Sequence, residues 1–273
     1  MRFPAVGDRV LVYHIQGCGR CANCRSGYMI SCSNPGEKAA YGWQRDGGHA
    51  EFMVADAATC IPLPDELSFV DGALIACGFG TADEGLRRIG VNGADELLVV
   101  GLGPVGLAAA MIGRGLGATR VFGVEPHAGR RAWAEELGLF DEVFEPSDAG
   151  DGLAHATRGR GCSTAIDCSG NVHGRGTAVA AIAEWGRISL VGEGGRLETE
   201  VSDALLHKQV SIHASWVTSL QRMERLAREL VAWGLRPERI VSHRFDFEHA
   251  DEAYRVAASA ASGKVVIVPG GGA

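Results

Sequence analysis

Cys18, Cys21, Cys24 and Cys32 share one short segment, spaced Cys-x2-Cys-x2-Cys-x7-Cys. Four thiolates this close together suit zinc, which takes four sulfur ligands tetrahedrally, and a closed sulfur shell of that kind serves structure rather than catalysis. Gly17, Gly19, Asn23, Ser26 and Gly27 are residues that let backbone fold sharply around an ion. Two disulfides or four unrelated buried thiols are the alternatives. The opening residues Met1-Arg2-Phe3-Pro4 have neither the apolar core nor the cleavage pattern of a signal peptide, so the expected compartment is the reducing cytoplasm. Clustered cysteine pairs there point to metal. Cys60, Cys77, Cys162 and Cys168 are scattered, and each reads first as a small buried side chain.

A second pattern carries different chemistry. Gly101-Leu102-Gly103-Pro104-Val105-Gly106 matches G-x-G-x-x-G, a weak signal alone in a chain with 39 glycines. Its setting strengthens it: the apolar run Leu97–Val100 leads in and a helical stretch from Leu107 to Leu116 leads out. Such glycines allow a tight turn, close approach of a pyrophosphate to backbone, and close helix–strand packing. The following helix offers its unpaired N–H groups and positive dipole end to the anion. Glu125 ends the next strand, nineteen residues past Gly106, where an acid accepts hydrogen bonds from an adenosine ribose and repels a 2′-phosphate. This favours NAD over NADP, although Arg130 and Arg131 stand close enough in sequence to meet a phosphate. A solvated strand-end carboxylate is the plainer reading of Glu125.

The elements that must position these residues follow from hydrophobic periodicity. Arg9–Tyr13 and the alternating segment Gly47–Val54 read as strands, and Pro62 and Pro64 close that section. From about residue 68 strand and helix alternate. Strands are expected at Glu96–Val100, Arg120–Val124, Thr164–Asp167, Arg187–Val191 and Val210–His213, with helices near 104–117, 128–138 and 175–185. That order implies a parallel sheet covered on both faces. A helix over Leu220–Trp233, a strand over Val241–Phe245, a helix over Glu248–Ala261 and a strand over Lys264–Val268 complete the chain, with Gly270-Gly271-Gly272 a frayed end.

Bulk properties exclude other classes. The 273 residues suffice for two cores, and 46% hydrophobic with 22% charged residues is ordinary for a globular protein. A net charge of −7 is the wrong sign for a phosphate-backbone binder, although cysteine knuckles occur in such proteins. No run is apolar for long enough to cross a bilayer, so neither nucleic acid nor membrane is an expected partner.

A cysteine lobe ahead of a glycine-rich nucleotide turn resembles the zinc-dependent medium-chain alcohol dehydrogenases. The likeness runs through Gly7-Asp8-Arg9-Val10, Gly47-Gly48-His49-Ala50-Glu51-Phe52, Cys77-Gly78-Phe79-Gly80-Thr81-Ala82, Leu190-Val191-Gly192-Glu193 and Gly263-Lys264-Val265. The stretch from His207-Lys208-Gln209 through Ser215-Trp216-Val217 looks closest to the polyol and threonine dehydrogenase branch. The resemblance implies an α/β chain: a Rossmann domain with a doubly wound parallel sheet, over residues 78–218, set within a partial β-rich GroES-like catalytic domain. Residues 1–77, with the structural zinc lobe, and 219–273 form that catalytic part. It further implies that Cys77 is a ligand of a catalytic zinc and that Thr81 lies near the nicotinamide. Val191 and Gly192 would offer backbone groups to the carboxamide, and Lys264 would reach the pyrophosphate.

This chain also departs from the family pattern. The family's first catalytic cysteine and its Gly-His-Glu segment precede the Gly-Asp-x-Val stretch, which here begins at Gly7. Cys77 alone cannot hold a catalytic zinc, which needs three protein ligands and an open position. The proton relay is missing too, so no catalytic residue is identified. A match beginning in mid-domain implies an N-terminally truncated sequence, and a catalytic zinc only with the missing part. The expectation is a cytoplasmic NAD-dependent zinc alcohol or polyol dehydrogenase, a homodimer or homotetramer. The alternative is a non-catalytic NAD(H)-binding protein, a sensor or partner subunit, that keeps the structural zinc.

The nine histidines are scattered and read as surface or packed residues, with Trp43 and His49 as candidates to line a substrate cleft.

Overall fold

A computed structural model describes residues 4–259 and 263–270. The chain divides into two compact units. One takes the residues up to Gly80, then Val217–Tyr254 and those from Val265 on; the other takes Thr81–Trp216 and Arg255–Lys264.

The second unit is built on six parallel strands: β1 Glu96–Val100, β2 Arg120–Val124, β3 Glu142–Phe144, β4 Cys162–Asp167, β5 Ile182–Leu190 and β6 Ser211–Ala214. Their spatial order is 3-2-1-4-5-6, the doubly wound Rossmann arrangement. Leu97, Leu98 and Val99 are fully buried because helices cover both faces, which is why β1 is an unbroken apolar run. The helices are α1 Pro104–Gly115, α2 Ala128–Glu136, α3 Ala149–Ala156 and α4 Val172–Ala181.

α1 begins with Pro104 at its first position, where a missing N–H costs nothing and φ is already helical. Its sheet-facing residues are small for a steric reason. A side chain at Gly113 would lie 2.5 Å from the Leu97 Cδ2, and one at Gly106 would lie 1.9 Å from the Gly101 carbonyl oxygen. Closeness of helix to strand thus depends on glycine at both places.

In the first unit the strands are short. Val10–Val12 pairs antiparallel with Cys60–Pro62, and Ile15–Gln16 with Ala39–Ala40. Helix Phe69–Leu74 opens with a capping box between Ser68 and Asp71. The buried Asp71 also takes hydrogen bonds from the Arg236 Nε at 2.7 Å and the Glu238 N–H at 2.8 Å. This helix continues through a π-helical turn, Ile75–Phe79, that carries Cys77, into helix Gly80–Arg88. Helix Leu220–Ala232 buries Leu220, Met223, Leu226, Ala227 and Leu230, the stripe its 3.6-residue period predicts.

Three expectations need correction. Gly47–Val54 forms no strand: Phe52 and Val54 are 88% and 87% exposed, and among the described residues no strand pairs with the segment. Alternation alone is not a strand, because the ladder needs a neighbour. The helix expected over 175–185 is Val172–Ala181, started by the Asn171 side chain accepting from the His173 N–H. It stops because Ile182, 1% exposed, is drawn into the sheet beside Cys162. The helix expected over Glu248–Ala261 is Ala250–Ala258; its expected end, Ala260 and Ala261, lies outside the described residues, as do Met1 and the Gly271-Gly272 of the frayed end. Among the described residues no helix is long and apolar enough to cross a membrane.

Candidate functional site

The glycine-rich turn sits between β1 and α1, where the strand order reverses. Gly101 has φ +87°, a left-handed conformation that favours glycine, and its N–H donates to the Val124 carbonyl at 2.8 Å. A side chain there would also strike the Ser169 backbone, at 2.8 Å from its nitrogen. Gly103 caps α1 and Pro104, Val105 and Gly106 form its first turn, so the helix's opening N–H groups face the crevice at the carboxyl ends of β1 and β4.

Glu125 follows β2 and is 2% exposed. One carboxylate oxygen accepts the Leu102 N–H at 2.8 Å, the other the His127 N–H at 3.0 Å. The residue expected to bind ribose therefore also clamps the turn. Arg130 Nη1 lies 3.9 Å from the same carboxylate and flanks Gly103, while its Nε is buried with no hydrogen-bond partner. Arg131 is committed elsewhere, to the Glu125 and Pro126 carbonyls and to the Glu145 carboxylate.

Across the crevice, the Asp167 carbonyl accepts from both the Val191 N–H at 3.0 Å and the Gly192 N–H at 2.8 Å. Its carboxylate accepts from the Ser169 N–H and hydroxyl and from the Arg175 Nε at 3.1 Å. Arg175 in turn donates to the Gly192 carbonyl at 2.7 Å. Sequence reasoning missed Asp167, Ser169 and Arg175. The available signal was an acidic residue ending the expected strand Thr164–Asp167. Thr81 is the second residue of helix Gly80–Arg88 and half-buried. Lys264 opens strand Lys264–Ile267, which pairs with Val241–Phe245 outside the six-stranded sheet.

The cysteine knuckle lies in the first unit. The four sulfur atoms of Cys18, Cys21, Cys24 and Cys32 are all within 4.8 Å of one another, with Cys18–Cys24 at 3.9 Å and Cys21–Cys32 at 4.0 Å. Sulfurs held about 2.3 Å from a tetrahedral zinc are about 3.8 Å apart, so the cage fits. Backbone N–H groups of Cys18, Cys21, Cys24 and Asn34 point at sulfur from 3.3–3.4 Å, as they do toward thiolates. N–H groups of Cys24 and Ser33 draw the Cys21 thiol down to about 5. Burial and the neighbouring sulfurs push Cys24 up to about 12. Four crowded sulfurs are the donor set that a dication such as zinc fits.

Among the described residues this is the single group of three or more Cys, His, Asp or Glu side chains close enough to share an ion. Cys77, exposed in its π-helical turn, is not in it. The donors present fit a structural zinc and do not fit a catalytic one. His14 hydrogen-bonds the Ala76 carbonyl at 2.7 Å, and burial lowers its pKa. His49 bonds the Tyr254 hydroxyl at 2.5 Å, and Trp43 is exposed.

A separate cavity of about 820 Å³ runs between α3 and α4. Its Lys208 ammonium already donates to the Ala180 and Ile182 carbonyls, and its Thr157 hydroxyl to the Leu153 carbonyl. The crevice at the carboxyl ends has the polar groups that chemistry needs.

A Rossmann sheet with this turn and a four-sulfur knuckle in the same chain define a zinc-binding, nicotinamide dinucleotide-dependent dehydrogenase class. Comparison with known proteins narrows it. Residues 104–233 match the family model described as zinc-binding dehydrogenase, and residues 2–65 the alcohol dehydrogenase GroES-like domain. The chain is 52% identical, over 96% of its own length and 74% of the relative's, to the zinc-type alcohol dehydrogenase-like protein YphC of Escherichia coli (strain K12). It is 27% identical to the L-threonine 3-dehydrogenase of Vibrio parahaemolyticus serotype O3:K6 (strain RIMD 2210633), over 96% of this chain and 75% of that one. A zinc-binding dehydrogenase of Sinorhizobium meliloti 1021, solved with NADP bound, superposes with TM-score 0.79 at 26% identity, over 93% of this chain and 74% of that one. The chain belongs to the zinc-type alcohol dehydrogenase family.

Proposed function

We propose that this chain is an NAD-dependent zinc alcohol or polyol dehydrogenase, with its glycine-rich turn for the dinucleotide and its cysteine knuckle for a structural zinc. The observation that carries the reading is the Gly101–Gly106 turn at the reversal of strand order, with Glu125 clamped beneath it. Gly101, Gly103, Pro104, Val105 and Gly106 take the pyrophosphate, their backbone able to approach an anion closely. Glu125 meets the adenosine ribose and Arg130 flanks it. Val191 and Gly192 face the carboxamide, Thr81 lies toward the nicotinamide, and Lys264 toward the pyrophosphate. Bound there, NAD supplies the hydride-accepting ring, and the protein supplies orientation and exclusion of water. Cys18, Cys21, Cys24 and Cys32 hold a structural zinc.

No step is assigned to a catalytic zinc, because Cys77 stands outside the ligand group. That same observation favours a second reading, a non-catalytic NAD(H)-binding protein serving as sensor or partner subunit. The eight unbridged thiols suit the cytoplasm.

NADH titration by fluorescence, zinc analysis, and turnover assays with secondary alcohols and polyols decide between them. Turnover supports the dehydrogenase. One zinc per chain with NADH binding and no turnover supports the second reading, and absence of both zinc and NADH binding removes both.

A further inference from the structure

Asp167 and Arg175 form an ion pair that is almost wholly out of water, their side chains 0% and 9% exposed. Burial of such a pair is a poor way to gain stability, since well-packed apolar residues do as well or better. Its position suggests another use. Asp167 ends β4 and Arg175 lies in the first turns of α4, so the pair stands at the mouth of the crevice.

Each member reaches a different wall. Asp167 holds the Ser169–Gly170 turn through the Ser169 N–H and hydroxyl, and that turn packs on Gly101. The Arg175 Nη2 donates to the Gly192 carbonyl, and its Nη1 faces Gly195, 3.4 Å from where a side chain there would begin. The guanidinium thus touches both ends of the Gly192–Gly195 loop.

The two walls themselves meet backbone to backbone. A side chain at Gly192 would lie 2.1 Å from the Gly170 nitrogen, and one at Gly170 would lie 2.2 Å from the Glu193 carbonyl oxygen. With the Val191 and Gly192 N–H groups both on the Asp167 carbonyl and the Gly192 carbonyl on Arg175, the Val191 carbonyl is left outside this set of bonds.

We propose that Arg175 is a positioning residue that holds the Val191–Gly195 loop ready for the nicotinamide end of the dinucleotide. The inference rests on the dinucleotide-binding reading above and adds to it a residue that touches no part of the cofactor. Lysine is a poor substitute, because a single ammonium cannot serve the Asp167 carboxylate and the Gly192 carbonyl with the fixed geometry of a planar fork.

The test compares NADH with ADP-ribose, which keeps the adenosine and both phosphates and lacks nicotinamide. Affinities for both are measured on the wild-type chain, Arg175→Lys and Arg175→Met, by fluorescence and calorimetry. In Arg175→Lys the NADH dissociation constant is expected to rise about tenfold or more, with ADP-ribose within about twofold. Arg175→Met strands the buried Asp167 carboxylate and risks misfolding, so Arg175→Lys carries the decision. Parallel loss of both ligands would mean a merely structural role and would overturn the proposal, as would unchanged NADH affinity in folded Arg175→Lys. If the wild-type chain binds neither ligand, the dinucleotide reading itself is wrong and the proposal goes with it.

Discussion

At Gly106 the constraint is an atom's width. A β-carbon 1.9 Å from the Gly101 carbonyl oxygen meets backbone, which cannot swing aside as the end of a flexible side chain can. Gly106→Ala is therefore expected to push α1 off β1, costing about 1–3 kcal/mol in thermal unfolding and weakening NADH about tenfold or more. A full-strength NADH titration in this variant would show that the turn does not cradle the pyrophosphate. Glu125 poses a sharper question, because its carboxylate serves two backbone N–H groups while lying beside Arg130. In Glu125→Gln an amide NH2 must face one of those donors, which costs about 1–3 kcal/mol. The same change removes the negative charge that opposes a 2′-phosphate and leaves the Arg130 guanidinium in place. The ratio of NADPH to NADH dissociation constants should fall about tenfold, measured side by side in both proteins; an unchanged ratio would remove Glu125 from cofactor choice.

Among the elements, the zinc knuckle makes the clearest demand on pH. Without metal near neutrality Cys21, drawn down to about 5, is a thiolate, while Cys24, pushed up to about 12, is a thiol. Zinc needs all four sulfurs deprotonated, so binding must expel at least the Cys24 proton. Affinity therefore rises with pH, by about tenfold per unit for each proton released. Competition with a chromophoric chelator at pH 6, 7 and 8 reads that slope, and a flat profile would rule out a thiol-protonated metal-free state. Chelation should also loosen a neighbour, since the Gly27 carbonyl accepts the Leu220 N–H at the start of helix Leu220–Ala232. How legible each element was in the sequence depended on how it is stabilised. Glu96–Val100 and Arg120–Val124 were read to the residue because strands buried on both faces must be apolar throughout. Glu142–Phe144 escaped notice because three residues at a sheet edge carry almost no pattern, and Ala149–Ala156 because two glycines in eight residues hide a helix. Gly47–Val54 went the other way, its alternation real but without a partner strand. Arg175 had no local signal, since its meaning lies in the Gly192 carbonyl, seventeen residues away.

For the whole molecule, the remaining question is what the six-stranded sheet does with its edges. One edge, Glu142–Phe144, is guarded by charge: Glu142 pairs with Arg120 across the strands. The other edge, β6, is Ser-Ile-His-Ala, with Ser211 and Ala214 exposed and neither an acid nor a permanent cation along it. An uncharged edge offers unpaired N–H and C=O groups to another strand, and a second copy of the same strand, turned antiparallel, is a partner of matching length. We expect the chain to associate through β6, giving a dimer or a tetramer built from it. Ser211→Asp with His213→Asp would set like charges against each other across that pairing, which is destabilising. Neither residue belongs to the cofactor crevice, so NADH affinity should hold within about twofold while sedimentation velocity reports a halved mass. If the mass of the double variant equals that of the wild-type chain, β6 is not the contact, and the edge is left to solvent.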